Sequence, residues 1–220
     1  MAQVLSSGDE LTLADLYDRF GPMPAGRIRN VPPPGMATEA DLLRLADHQD
    51  RLCELVDGVL VEKTMGYYEA YLALRLASML RDFVEARGLG IVTGADGMLR
   101  LFPGLVRIPD VAFVSWERLV ERRVPRDPIA DLAPDLAVEV LSKNNTAKEM
   151  ARKLDDYSEA GVRLVWYVDH RPRTVTVYIG RQVFTVLHET DKLDGGDVLP
   201  GFALPIAELF AEPPGPKQPS

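Results

Sequence analysis

Glu139 stands inside an apolar run, Leu136-Ala137-Val138-Glu139-Val140-Leu141. In an extended strand it shares a face with Asp135, Ala137 and Leu141. Burying a carboxylate without compensation is costly, so a cation has to be near it. A lysine or arginine can serve, and so can a metal ion. From spacing alone, an ion pair with Lys153 or an arginine is the better reading. A second carboxylate, Asp110, follows a proline and opens the apolar stretch Val111-Ala112-Phe113-Val114. Strand-end aspartates often cap turns, so by itself this signal is weak. Lys153 falls on the helix after the Glu139 strand. Its buried stripe is Ala147, Met150, Ala151, Leu154 and Tyr157, with Lys153 on the border. A border lysine can lay its stem on apolar surface and send its ammonium to a strand carboxylate. Arg107, close to Asp110, can meet a phosphate or sit on the surface, at even odds.

Elements of several kinds must position these residues. The segment "CELVDGVLVEK" is a hairpin whose Asp57-Gly58 suits a type I′ turn. A helix from about Tyr67 to Ala86 follows, with Tyr71, Leu74, Ala77 and Leu80 at helical spacing, and Gly88 ends it. Strands are expected at "GIVTG", "GMLRLF", "IPDVAFV", "DLAVEVLS", "RLVWYVD", "TVTVYI" and "QVFTVLH". A helix from Thr146 to about Ala160 separates the fourth and fifth. The order implies a mixed α/β domain on one sheet flanked by helices. Upstream, Thr12 caps the helix "LADLYDRF", a Pro/Gly-rich linker follows, and Thr38 with Asp41 opens a second helix. Residues 1–50 are expected to form a helical appendage and linker, 51–211 the main domain and 212–220 a disordered tail.

The chain has 220 residues, 25 basic and 33 acidic, for a net charge of -8. That excludes a protein that simply coats nucleic acid. A local basic groove is still open to it, from Arg107, Lys143, Lys148 and Arg152. No apolar run approaches the ~20 residues of a membrane span. The N-terminus lacks signal-peptide character, and the one cysteine, Cys53, suits a reducing compartment, so the cytoplasm is expected. His48, His170 and His188 lack metal-ligand spacing. Asp135 reads as a strand cap, Asp155-Asp156 as a solvated helix face, and Trp166 and Tyr167 as core or interface.

Taken together, "RIPDVAFVSWERL", "PDLAVEVLS", "MARKLDDYSEAGVRLVWYVD" and "CELVDGVLVEK" resemble the Uma-type restriction endonuclease family. That family belongs to the PD-(D/E)xK nuclease superfamily. The resemblance runs from about Arg51 to Phe210. It implies a restriction-endonuclease-like fold of the α/β (α+β) class, a central mixed sheet with helices on both sides. Asp110 matches the aspartate of the PD motif, and Glu139 matches the acid of the (D/E)xK motif. Leu141 stands where the motif lysine is expected, and Lys153 would replace that lysine from the helix. Glu54 matches the acid of the family's early hairpin and would be an auxiliary ligand. The family's histidine at the start of the next helix is replaced here by Tyr67, Tyr68 and Glu69. The implied activity is hydrolysis of DNA phosphodiesters with Mg²⁺, for which Mn²⁺ can substitute. Asp110 and Glu139 would hold the ion, and Lys153 would act on water or phosphate. Cutting both strands suits a two-fold homodimer. The alternative is a nuclease-fold binding module without activity, which the net acidity favours.

Overall fold

The structure, a computed structural model, describes residues 11–49, 52–181, 183–213 and 215. Most of the expected tail, 212–220, lies outside the described residues. Helix α1 (Leu13–Phe20) is opened by Thr12 and Asp15, which cap each other's backbone reciprocally. Thr38 and Asp41 repeat that exchange at the start of α2 (Glu39–Gln49). Strands β1 (Cys53–Val56) and β2 (Val59–Glu62) form the expected hairpin. Asp57 and Gly58 both take positive φ, 47° and 72°, as a type I′ turn requires. A side chain at position 58 would also collide with the Gly35 carbonyl, 2.3 Å from an ideal Cβ.

Next come α3 (Tyr67–Arg87), β3 (Gly90–Thr93), β4 (Met98–Phe102), β5 (Leu105–Arg107), β6 (Val111–Ser115), β7 (Ile129–Ala130) and β8 (Leu136–Val140). Then follow α4 (Ala147–Glu159), β9 (Leu164–Asp169), β10 (Thr174–Ile179), β11 (Val183–Leu187), β12 (Lys192–Asp194), β13 (Ala203–Pro205) and α5 (Ile206–Leu209). The expectation of one sheet is corrected. A six-stranded sheet runs β11-β10-β9-β8-β6-β3 and a five-stranded sheet β2-β1-β5-β4-β7, with a two-stranded β12-β13 ribbon beside them. The strands part company at Ile108-Pro109-Asp110. β5 pairs with β1 and β4, whereas β6 pairs with β3 and β8. Pro109 has no N–H to give to a ladder, so the chain can change sheets there.

The six-stranded sheet is mixed: β8 and β9 run parallel and its other pairs antiparallel. A parallel pair needs a crossover, and α4 is that crossover. One sheet face packs Val111, Phe113, Leu136 and Val138 against Leu72, Leu76, Leu80 and Val84 of α3. The stripe on α3 is thus an i, i+4 series. The i, i+3 series read from the sequence drifts off it, and Leu74 is 72% exposed. The opposite face carries small residues, Ala112 and Ala137, and packs with Met150 and Tyr157 of α4. Val56, Val59 and Val61 of the second sheet, and Leu16 and Phe20 of α1, close the same core. Helix α4 therefore lies between the two sheets. On the far side of the second sheet, Leu42 and Leu45 of α2 meet Leu55, Leu60 and Val106.

Over its described part, the N-terminal segment packs against the rest of the fold. Phe20 is 2% exposed, and its carbonyl accepts the Thr146 hydroxyl at 2.6 Å. Arg27 makes a buried two-armed contact with Glu149 at 2.7 and 2.9 Å, and Gly35 N–H donates to the Gly58 carbonyl at 2.9 Å.

Candidate active site

The pairings Val111↔Val138 and Ala112↔Ala137 put Asp110 opposite Glu139. Both lie on the sheet face that Ala112 and Ala137 line, the α4 side, because strand residues alternate. Proline stops the ladder just before Asp110, whose N–H still donates to the Val138 carbonyl at 2.9 Å. One carboxylate oxygen, Oδ2, accepts the Val140 N–H at 2.6 Å. Asp110 thus does cap the strand, but with one oxygen only. Oδ1 is buried and has no well-directed hydrogen bond. Lys63 Nζ lies 2.7 Å from it as an ion-pair partner.

Glu139 is held from above by one helix turn. Lys153 Nζ donates to Oε2 at 2.9 Å, and the Tyr157 hydroxyl donates to Oε1 at 2.6 Å. Their i, i+4 spacing puts both on the face of α4 that looks at the sheet. Thr146 and Glu149 cap this helix reciprocally, and Arg27 grips Glu149, so its first turn is fixed. Lys153 Nζ is also 3.0 Å from Glu54 Oε1. Glu54 comes from β1, on the same face as Val56. It accepts the Ile108 N–H at 3.1 Å and Arg107 Nη1 at 2.8 Å. The other arm of Arg107 clasps Asp156, one residue before Tyr157.

The structure thus brings Asp110, Glu139, Lys153, Glu54 and Arg107 into one buried cluster. Arg107 is 2% exposed, and both of its arms are taken by carboxylates. Asp156 is corrected from a solvated position to a buried one, because the second sheet covers that side of α4. Asp135 stays apart, accepting from Ser115 N–H, Arg118 and Arg163.

Sequence reading passed over Lys63 and Tyr157 as site residues. Lys63 continues the alternation Val59, Val61, and that signal was legible. Tyr157 lies four residues after Lys153, a spacing that in the sequence indicates only packing. Of the residues expected to line a basic groove, Arg152 reaches Asp57 at 2.7 Å. Lys143 and Lys148 border a cavity of about 530 Å³ at the start of α4.

Burial pushes Glu139 above the ordinary carboxylate range, Lys153 opposes this, and the charges of Asp110 and Glu54 add to it. Burial would also raise Glu54, but Lys153 and Arg107 outweigh it and bring it down to about 2. For Lys153, burial favours the neutral amine, yet Glu139 and Glu54 win and raise its pKa. Burial and Glu139 keep the Tyr157 phenol protonated and therefore a donor. Four buried carboxylates, Glu54, Asp110, Glu139 and Asp156, face the buried Arg107 and Lys153 and the half-buried Lys63. The half-buried Arg152 reaches Asp156 only at 3.9 Å.

A cavity of about 400 Å³ is bordered by Thr64, next to Lys63 in sequence, and by Ser142, which follows β8. Glu69, Lys143, His170 and Arg171 form its charged rim, with His170 Nε2 3.3 Å from Glu69 Oε1.

The chain matches the family described as "Uma2: Putative restriction endonuclease" over residues 39–207. No curated protein matches it. Among solved structures, it is similar to one described as a "putative nuclease belonging to DUF820" from Anabaena variabilis ATCC 29413. The two are 21% identical with a TM-score of 0.67, over 79% of this chain and 97% of that one. At that identity the likeness speaks for the fold, which is restriction-endonuclease-like, with a mixed sheet between α3 and α4. The family match begins within α2 and takes in Glu54, Asp110, Glu139 and Lys153. Since it spans most of the sequence, the chain belongs to the Uma2 family.

Proposed function

We propose that this protein is a divalent-metal-dependent endonuclease that hydrolyses DNA phosphodiester bonds, with Mg²⁺ as cofactor and Mn²⁺ able to replace it. The observation that carries this reading is the facing pair Asp110 and Glu139, with Lys153 at 2.9 Å from Glu139. The donor set suits such an ion. Mg²⁺ takes one or two carboxylates and completes its shell with water and phosphate oxygens. Among the described residues no group of three or more His, Cys, Asp or Glu side chains is placed to hold a metal ion.

Asp110 and Glu139 would hold the ion. When bound, it would polarise the phosphodiester and lower the pKa of a coordinated water. Lys153 would orient that water or stabilise charge developing on the phosphate. Glu54 keeps Lys153 charged and in place, and Tyr157 fixes the Glu139 carboxylate from its other oxygen. Substrate would approach through the cavity between Thr64 and Ser142. The reading includes a two-fold dimer, for which light scattering at micromolar protein should give twice the chain mass. It also includes a cytoplasmic setting. Among the described residues, no helix is long and apolar enough to cross a membrane.

The test is nicking of supercoiled plasmid at low salt with Mg²⁺ or Mn²⁺, using wild type, Asp110→Ala and Lys153→Ala in parallel. Each variant should lose activity by about 100-fold or more, the scale of removing one preorganised charge from a transition state. Equal cutting by all three, or none by any, favours the inactive binding module. The net charge of -8 and the lysines on both acids are what that reading has in its favour.

A further inference from the structure

Lys63 is a half-buried cation that the motif does not require. It sits just past β2, its side chain 8% exposed, and its ammonium meets three oxygens. These are Asp110 Oδ1 at 2.7 Å, the Ile108 carbonyl at 2.7 Å and the Ala95 carbonyl at 3.3 Å. The two carbonyls accept hydrogen bonds and the carboxylate is an ion-pair contact, so the ammonium fills a position built from one carboxylate and two backbone carbonyls. All three are hard oxygens, the donor type a divalent ion of the magnesium class selects. The other Asp110 oxygen is committed to the Val140 N–H. Oδ1, which accepts no backbone N–H, is the freer of the two for a cation, and the chain's own lysine already lies on it. A second positive charge beside it would meet like-charge repulsion at low dielectric.

We propose that Lys63 is a tethered competitor for the Asp110 metal position, a positioning residue that holds Oδ1 and sets how tightly a divalent ion binds. The proposal rests on the reading of Asp110 as a metal ligand. It predicts weak metal binding by the wild type and tighter binding once the lysine charge is removed. Lys153, which approaches Glu139 from the helix, does not fill this role, because its ammonium is shared with Glu54 rather than Asp110.

The experiment is calorimetric titration of Mn²⁺ into wild type, Lys63→Met, Lys63→Gln and the double variant Lys63→Met/Asp110→Asn, with Mn²⁺-dependent melting alongside. Lys63→Gln keeps a donor for the Ile108 carbonyl and carries the test if Lys63→Met does not fold. Both neutral variants should bind Mn²⁺ at least about tenfold more tightly than wild type, through removal of an adjacent like charge. The double variant should lose that gain. Equal affinity in wild type and the single variants overturns the proposal, as does a gain that survives Asp110→Asn. Plasmid nicking on the same samples separates the two claims. Cutting by wild type with unchanged Mn²⁺ affinity in the variants removes the Lys63 proposal and leaves the nuclease reading. Tighter binding by the variants with no cutting by any protein supports the Lys63 proposal and removes the nuclease reading.

Discussion

Glu54 ties Lys153 to Arg107, and through them the helix to the second sheet. Replacing it by glutamine keeps the shape and removes the charge, leaving two buried cations short of a partner. We expect Glu54→Gln to cost about 3–5 kcal/mol in urea denaturation, the range for breaking a buried ion pair from one side. The pH dependence has a definite sign. The folded-state pKa of Glu54 is depressed from 4.5 to about 2. Its stabilising contribution is therefore complete above the unfolded value and is lost as pH falls from about 4.5 towards 2. A shift of that size corresponds to about 3 kcal/mol. Melting temperatures across pH 2–6 should fall steeply for wild type and more gently for Glu54→Gln. Parallel acid limbs would show that Glu54 does not carry this linkage.

Helix α4 does the positioning, and its own start is fixed from outside. Thr146 caps the helix and donates to the Phe20 carbonyl, and Arg27 clasps Glu149. Thr146→Ala should lower stability by about 1 kcal/mol, the usual cost of an N-cap. Arg27→Ala should cost about 3–5 kcal/mol, because Glu149 is left buried and unpaired. Hydrogen exchange of the α4 amides should rise in both. Much at this scale was legible beforehand. The apolar run around Glu139 and the Thr146–Ala160 helix are local patterns, and local patterns survive folding. The expected stripe of this helix is corrected: Ala147 and Ala151 are exposed, whereas Glu149, Met150, Lys153, Asp156 and Tyr157 are buried, so Lys153 lies within the packed face and not on its border, because the second sheet covers that side of α4. The roles of Asp156 and Arg107 were not legible, because each depends on a second sheet lying over α4. That arrangement follows from a change of sheet at Pro109, a long-range pairing that no spacing rule encodes. Lys63 was a different kind of miss, since the alternation Val59, Val61, Lys63 was there to be read.

Across the whole molecule, the segment before the family match closes the core that holds the site. Leu16 and Phe20 share that core with Tyr157 and Tyr167. Phe20→Ala should cost about 3–5 kcal/mol, the range for truncating a buried aromatic. A change near zero in the denaturation midpoint would instead mean that the segment is dispensable to the fold. Charge acts at the same scale. With a net charge of -8, the proposed encounter with DNA would rest on local cations at the cavity rim such as Lys143 and Arg171, the latter paired with Asp169. Lys143→Ala/Arg171→Ala should weaken DNA binding in an anisotropy titration and reduce its salt dependence, while the melting temperature stays near that of wild type.

The central claim is that Asp110 and Glu139, from facing strands, act on one divalent ion. The direct measurement is the Mn²⁺-induced rise in melting temperature for wild type, Asp110→Asn, Glu139→Gln and the double variant, since a ligand of the native state raises its stability. If both carboxylates hold one ion, each single variant should lose most of the response and the double should lose little more, as coupled residues do. A response that persists in both single variants would contradict the account, because the ion would then bind elsewhere.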